Sequence, residues 1–132
     1  MSLMHLYYAS TPFGFSESDL NKILSVARRN NARDGITGAL ICRSDLFLQM
    51  LEGPRTAVTA AFHRILGDDR HLDVVLIGSG DITARQFAKW HMRDDPARSW
   101  MWTQAQVAQG AVDATSAEDV RGEFARLLQE DV

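Results

Sequence analysis

Apolar and polar positions alternate through Met4-His5-Leu6-Tyr7-Tyr8, which places Met4, Leu6 and Tyr8 on one face of a first strand. Thr11-Pro12-Phe13-Gly14 is expected to break that strand. The period then lengthens to that of a helix, with Leu20, Ile23, Leu24 and Ala27 as its buried stripe. Ser16 suits the cap, Glu17 and Asp19 fall in the first turn, and Arg28 and Arg29 lie near the end, as the helix dipole favours. Asn30 to Gly35 reads as a polar turn. Ile36 to Cys42 and Leu46 to Leu51 follow as two apolar strands joined by Arg43-Ser44-Asp45, a short hairpin loop. Glu52-Gly53-Pro54 closes the second, and Pro54 suits the first turn of another helix with stripe Val58, Ala61, Phe62, Ile65 and Leu66. Gly67-Asp68-Asp69 stops it. Val74 to Ile77 reads as a fourth strand, ended by Gly78-Ser79-Gly80-Asp81, and Phe87 to Met92 as a short fifth.

The order β-α-β-β-α-β-β predicts an α+β, ferredoxin-like fold: an antiparallel sheet with two helices on one face. Asp94-Asp95-Pro96 marks a shift in composition. Beyond Trp100 the chain reads as a helical tail, with Ser116 capping a helix of stripe Val120, Phe124, Leu127 and Leu128. The expected organisation is one domain over residues 1–95 and a helical extension over 96–132 that packs on the exposed sheet face.

Composition narrows the function more than the fold. A chain of 132 residues, 45% hydrophobic and 23% charged, can build one ordinary core. Its net charge is −3 and no Lys or Arg run exceeds Arg28-Arg29, which argues against a nucleic-acid partner. The one cysteine, Cys42, allows no internal disulfide and suits a reducing cytoplasm. Met1 to Tyr8 has no signal-peptide pattern, and no apolar run approaches the ~20 residues that span a bilayer. A cytoplasmic location without a membrane partner is expected.

Candidate chemistry centres on Gln49, set in Leu46-Phe47-Leu48-Gln49-Met50-Leu51. An amide buried there without a partner costs about 1–3 kcal/mol, so something must hydrogen-bond it. Alternation puts Phe47, Gln49 and Leu51 on one face, and Tyr8 lies on the strand that neighbours theirs in a ferredoxin-like sheet. Asn30 and Asn31, after the first helix, can reach the same groove. Two readings are open: a polar knot tying strand to helix, or a cleft for a flat heterocycle with donors and acceptors along one edge. His5, His63, His71 and His91 have no metal-ligand spacing; three suit a surface, and His71 stands apart beside Asp68-Asp69-Arg70. Gly35-x-x-Gly38 and Gly78-x-Gly80 fit no phosphate loop, and no serine sits in a nucleophile elbow.

Arg29-Asn30-Asn31, then Asp34-Gly35-Ile36-Thr37-Gly38, then Phe47-Leu48-Gln49-Met50-Leu51-Glu52-Gly53 together resemble the BLUF family, sensors of blue light using flavin. Leu6-Tyr7-Tyr8, His63-Arg64-Ile65, Asp69-Arg70-His71 and Arg85-x-Phe87-x-x-Trp90-x-Met92 agree in order and spacing, so the resemblance covers residues 1 to 95. It implies a flavin, FAD or FMN, held noncovalently between the two helices. It implies that Tyr8 is the redox tyrosine, that Gln49 is the switching glutamine, and that Asn31 contacts the flavin's polar edge. Asn30, Arg64 and Asp68 match positions that hold the isoalloxazine or ribityl part. Trp90 and Met92 match a fifth-strand pair that relays the signal. His91 departs from the pattern, since the family often has Ser there, and this bears on how the signal leaves the pocket.

The chemistry suits the residue types. A blue-excited flavin is a strong oxidant, and a phenol can give it an electron and then a proton; tyrosine, with a reference pKa of about 10, holds that proton in the dark. A glutamine amide has a donor end and an acceptor end, so rotation or tautomerisation exchanges them. The expectation is a photoreceptor that is not an enzyme and that signals to a separate effector protein. Residues 96–132 are too short for a cyclase or phosphodiesterase domain. A flavin-dependent redox enzyme would need a second set of catalytic groups, and a flavin-free interaction module would have little use for Tyr8 and Gln49. The apolar tail stripe and the exposed sheet face make a homodimer a further expectation.

Overall fold

The computed structural model describes residues 2–12, 16–68 and 71–130. In chain order these form β1 (Leu3–Pro12), α1 (Glu17–Asp34), β2 (Thr37–Arg43), β3 (Leu46–Pro54), α2 (Arg55–Leu66), β4 (His71–Ile82), β5 (Arg93–Pro96), α3 (Gln104–Ala108), α4 (Ala111–Ala114) and α5 (Ala117–Gln129). Phe13 and Gly14, expected in the first strand break, lie outside the described residues, as do Asp69 and Arg70.

The strands make one sheet in the order β4-β1-β3-β2-β5. β1 pairs antiparallel with both β3 and β4, and β2 antiparallel with β3, as the ferredoxin-like arrangement requires. Strict alternation sorts the side chains. Met4, Leu6, Tyr8, Phe47 and Leu51 face α1 and α2, where Ile23, Leu24, Val58 and Ala61 meet them. Tyr7, Ala9, Leu48 and Met50 face the other way, onto Val120, Phe124 and Leu127 of α5. The tail therefore covers the second sheet face as its apolar stripe predicts. Gly78 of β4 makes this possible at one point, because a Cβ there would collide with Ala117 at the start of α5.

Several boundaries differ from expectation. α1 does not end at Asn30; it runs to Asp34 and stops at Gly35, whose left-handed conformation (φ 73°) caps it. β1 continues to Pro12 and β4 spans His71–Ile82, through the glycine-rich stretch, because the two strands pair along almost their whole length. β3 likewise extends through Glu52 and Gly53, so Pro54 is the cap residue of α2 and not its first turn. Leu66, read as part of the α2 stripe, is exposed. The fifth strand is not Phe87–Met92 but Arg93–Pro96, and it runs parallel to β2, which makes the sheet mixed. Phe87–Met92 is irregular because side chains from other elements, described below, hold its backbone.

Candidate functional site

A cavity of about 220 Å³ opens between α1, α2 and the sheet. That is many times the roughly 10–15 Å³ a single buried water needs, and leaves room for a flat fused ring. Tyr8, Asn30, Asn31, Gln49, Arg64 and Asp68 all line it, together with His71 and an apolar wall of Ile23, Leu51, Ala61 and Ile65. Six of the expected site residues thus meet in one place. The extension of α1 is what delivers the two asparagines, since both belong to its last turns.

Sheet register places the two central groups side by side. Tyr8 and Gln49 are directly opposed residues of β1 and β3, so both side chains rise from the same face. The Tyr8 hydroxyl is buried and has no hydrogen-bond partner among the described residues. Burial, followed by the nearby Asp68 charge, pushes its pKa well above the ordinary tyrosine value. The phenol is therefore firmly neutral. Its ring packs 5.4 Å from Phe62 and 6.2 Å, edge-on, from His71.

The Gln49 amide is scarcely better served. Its Nε2 donates to Met92 Sδ at 3.3 Å, and a thioether is a weak acceptor. Asn31 lines the cavity while its Nδ2 donates to the His91 carbonyl at 2.6 Å. Arg64, at 3.4 Å from Asp34, joins an exposed pair in which the Arg33 guanidinium holds the Asp34 carboxyl below its usual range. His71, the histidine set apart in the sequence, is buried against Ser10 Oγ at 2.9 Å and faces Phe47. His63 and His91 are exposed, although His91 Nδ1 lies 3.0 Å from the Ile36 carbonyl oxygen.

Met92 and Trp90 part company. Met92 is buried on the helix side against Gln49, whereas Trp90 packs on the α5 side, 6.0 Å from Phe87 and 5.2 Å from the Arg93 guanidinium. The segment between β4 and β5 therefore touches both faces of the sheet. Sequence reasoning gave no role to Glu52, which binds this segment, or to Arg85 within it, which donates to Thr37 and Gly35. The signal was there: Glu52 follows Leu51 in the same apolar strand that singled out Gln49.

A phenol without a partner among the described residues, an amide donating to sulfur and a second amide, set on the edge of an apolar slot, fit a planar heterocycle bearing donors and acceptors along one side. Among the described residues no group of His, Cys, Asp or Glu could hold a metal ion, and no helix is long and apolar enough to cross a membrane.

Comparisons with known proteins agree with this geometry. The family model described as sensors of blue light using FAD (BLUF) matches residues 3–93. The photoactivated adenylate cyclase subunit beta of Euglena longa is 38% identical over 90 residues, which is 67% of this chain and 10% of that protein. The blue light- and temperature-regulated antirepressor BluF of Escherichia coli (strain K12) is 32% identical over 85 residues, 58% of this chain and 21% of that one. The chain thus spans about a tenth of the cyclase subunits it matches. Among solved structures, the dark state of the BLUF protein BlrB superposes with a TM-score of 0.79 at 30% identity, covering 99% of this chain and 98% of that one. The ground state of BlsA gives 0.80 at 26% identity, covering 96% and 87%.

Proposed function

The chain belongs to the BLUF family of blue-light sensors, and from that premise we propose that its cavity holds FAD noncovalently and works as a reversible switch without catalytic turnover. The observation that carries this reading is the buried, unpartnered Tyr8 hydroxyl beside Gln49. When bound, the flavin supplies a blue-light-excited oxidant that draws an electron and a proton from a neighbouring phenol and then returns both. Tyr8 is the phenol within reach, and its neutral state keeps that proton available at Oη. Gln49 answers the proton's movement by exchanging the donor and acceptor ends of its amide. Its Nε2 then no longer faces Met92 Sδ, and the contact that ties β3 to the 85–92 segment changes partner. Asn31, Asn30, Arg64 and Asp68 orient the ring and its side chain from α1 and the end of α2.

The family's description, which names FAD, supports FAD as the flavin held here. Residues 1–95 form the sensor and 96–132 the extension that receives its signal. Relatives named for light-activated cyclase and antirepressor functions support a signalling output, which we place on a separate effector protein. The test uses two variants. Tyr8→Phe and Gln49→Leu each retain flavin yet lose the light-induced, dark-reversible red shift of its absorption. A normal photocycle in either one refutes the assigned roles.

A further inference from the structure

Glu52 sits on β3 with 1% of its surface exposed, on the face opposite Gln49. A carboxylate only accepts, and everything around this one donates. Oε1 receives the Thr37 hydroxyl at 2.9 Å and the Phe87 backbone N–H at 2.6 Å, and Oε2 receives the Gln86 N–H at 2.7 Å. Arg85 backs the cluster, donating to Thr37 Oγ1 at 2.9 Å and to the Gly35 carbonyl at 2.7 Å. One end of the irregular segment is thus pinned to the sheet by charge-assisted bonds.

The other end is held differently. His91 O takes the Asn31 amide, the Met92 sulfur takes the Gln49 amide, and Met92 O takes Arg28 Nε at 3.0 Å. Two of those three donors line the cavity. Between the ends, Phe87 lies 5.9 Å from Phe124 of α5 and 6.0 Å from Trp90. Trp90 is itself tied to β2, its carbonyl accepting the Gly38 N–H at 3.0 Å, so a segment fixed at 86–87 and disturbed at 91–92 takes up the change at the Trp90 side chain.

We propose that Glu52 is the anchor that makes residues 85–92 a lever, so that rearrangement of Gln49 and Asn31 on one sheet face moves Trp90 against the α5 layer on the other. Glu52 is a positioning residue for output and does not touch the cavity. The proposal rests on the flavin-switch reading above.

The test is hydrogen exchange of the full flavin-loaded chain, in darkness and under blue light, for wild type and Glu52→Gln. In wild type, light speeds exchange at residues 89–92 and in α5 around Phe124, while the Gln86 and Phe87 amides stay protected. Glu52→Gln sets a donor against one of those amides. Their protection falls roughly tenfold or more in the dark. The absorption shift persists, and the light-dependent change in α5 disappears. If Glu52→Gln does not fold, Thr37→Val, which removes one donor, shows the same uncoupling in weaker form. A wild-type light response in α5 in the folded variant overturns the proposal, as does loss of the absorption shift itself. A wild-type chain that shows the absorption shift but no exchange change at 89–92 overturns the lever alone. A wild-type chain with no shift removes the sensor reading and the lever together.

Discussion

Replacing Tyr8 by Phe should stabilise the flavin-free protein, and the gain should shrink when flavin is bound. The Tyr8 hydroxyl is buried and unpartnered among the described residues, so folding strips it of water and gives nothing back. A hydroxyl in that state costs about 1–3 kcal/mol. Deleting it removes a single oxygen from a side chain that lines the cavity, so little packing is lost. Tyr8→Phe should therefore raise flavin-free stability by about 1–3 kcal/mol, a factor of roughly 5 to 150 in the folded-to-unfolded ratio. With flavin in place the hydroxyl gains a partner, and a satisfied bond is worth about 0.5–1.5 kcal/mol net, so the benefit of Phe vanishes or reverses. Urea titrations of both proteins, with and without saturating FAD, give the four free energies of the cycle. Linkage requires the coupling to reappear as weaker flavin affinity in the variant, about tenfold for each 1.4 kcal/mol. If Phe destabilises the flavin-free chain, or shifts both states equally, the hydroxyl is not waiting for a partner and the argument fails.

Other expectations follow from the same geometry. Phe124→Ala should cost about 3–5 kcal/mol in urea unfolding, since the ring is fully buried and lies 5.8 Å from Tyr7 and 5.9 Å from Phe87; a loss under about 1 kcal/mol would mean that α5 is not seated on the sheet. Gly38→Ala should destabilise by about 1–3 kcal/mol or more, because its Cβ would overlap the Met50 carbonyl oxygen, a backbone atom that yields only if β2 and β3 part; unchanged thermal unfolding would contradict that packing. Alkaline pH gives a third check. Burial raises Tyr7 to about 12 and Tyr8 well above the ordinary value. Their contribution to stability is thus fully present below the unfolded phenol's pKa of about 10 and is lost as pH rises beyond it. These are the chain's two tyrosines, so native protein at about pH 10 should show almost no phenolate absorption, and half-ionisation there would refute the burial of both.

The parts of the fold legible in the sequence are those where the side-chain period alone sorts the faces of an element. Alternation in β1 and β3 put Tyr8 and Gln49 on one face, and register then made them neighbours. The stripe of α5 likewise announced its own seat on the sheet. Legibility failed at the β4–β5 connection. Phe87, Trp90 and Met92 are apolar enough to look like a strand, yet they serve opposite faces, and the amides of Gln86 and Phe87 are taken by Glu52. The real strand, Arg93-Asp94-Asp95-Pro96, is charged and carries proline. It pairs as an edge because Arg93 and Asp95 neutralise each other at 2.7 Å when buried beside β2. Such a strand depends on tertiary partners, which local pattern does not encode. The asparagines were misplaced for a simpler reason. Polar residues near a helix end resemble a turn, and here the stop is set by Gly35 four residues after Asn31.

The central claim is that light changes the hydrogen bonds of a flavin held between α1 and α2. Its most direct test is the absorption spectrum of the purified, FAD-loaded chain before, during and after blue illumination. The account predicts a yellow protein whose flavin band moves slightly to the red in light and returns in darkness, with the flavin oxidised at both ends of the cycle. A chain that cannot be loaded with flavin, or whose flavin only bleaches under illumination, would contradict it.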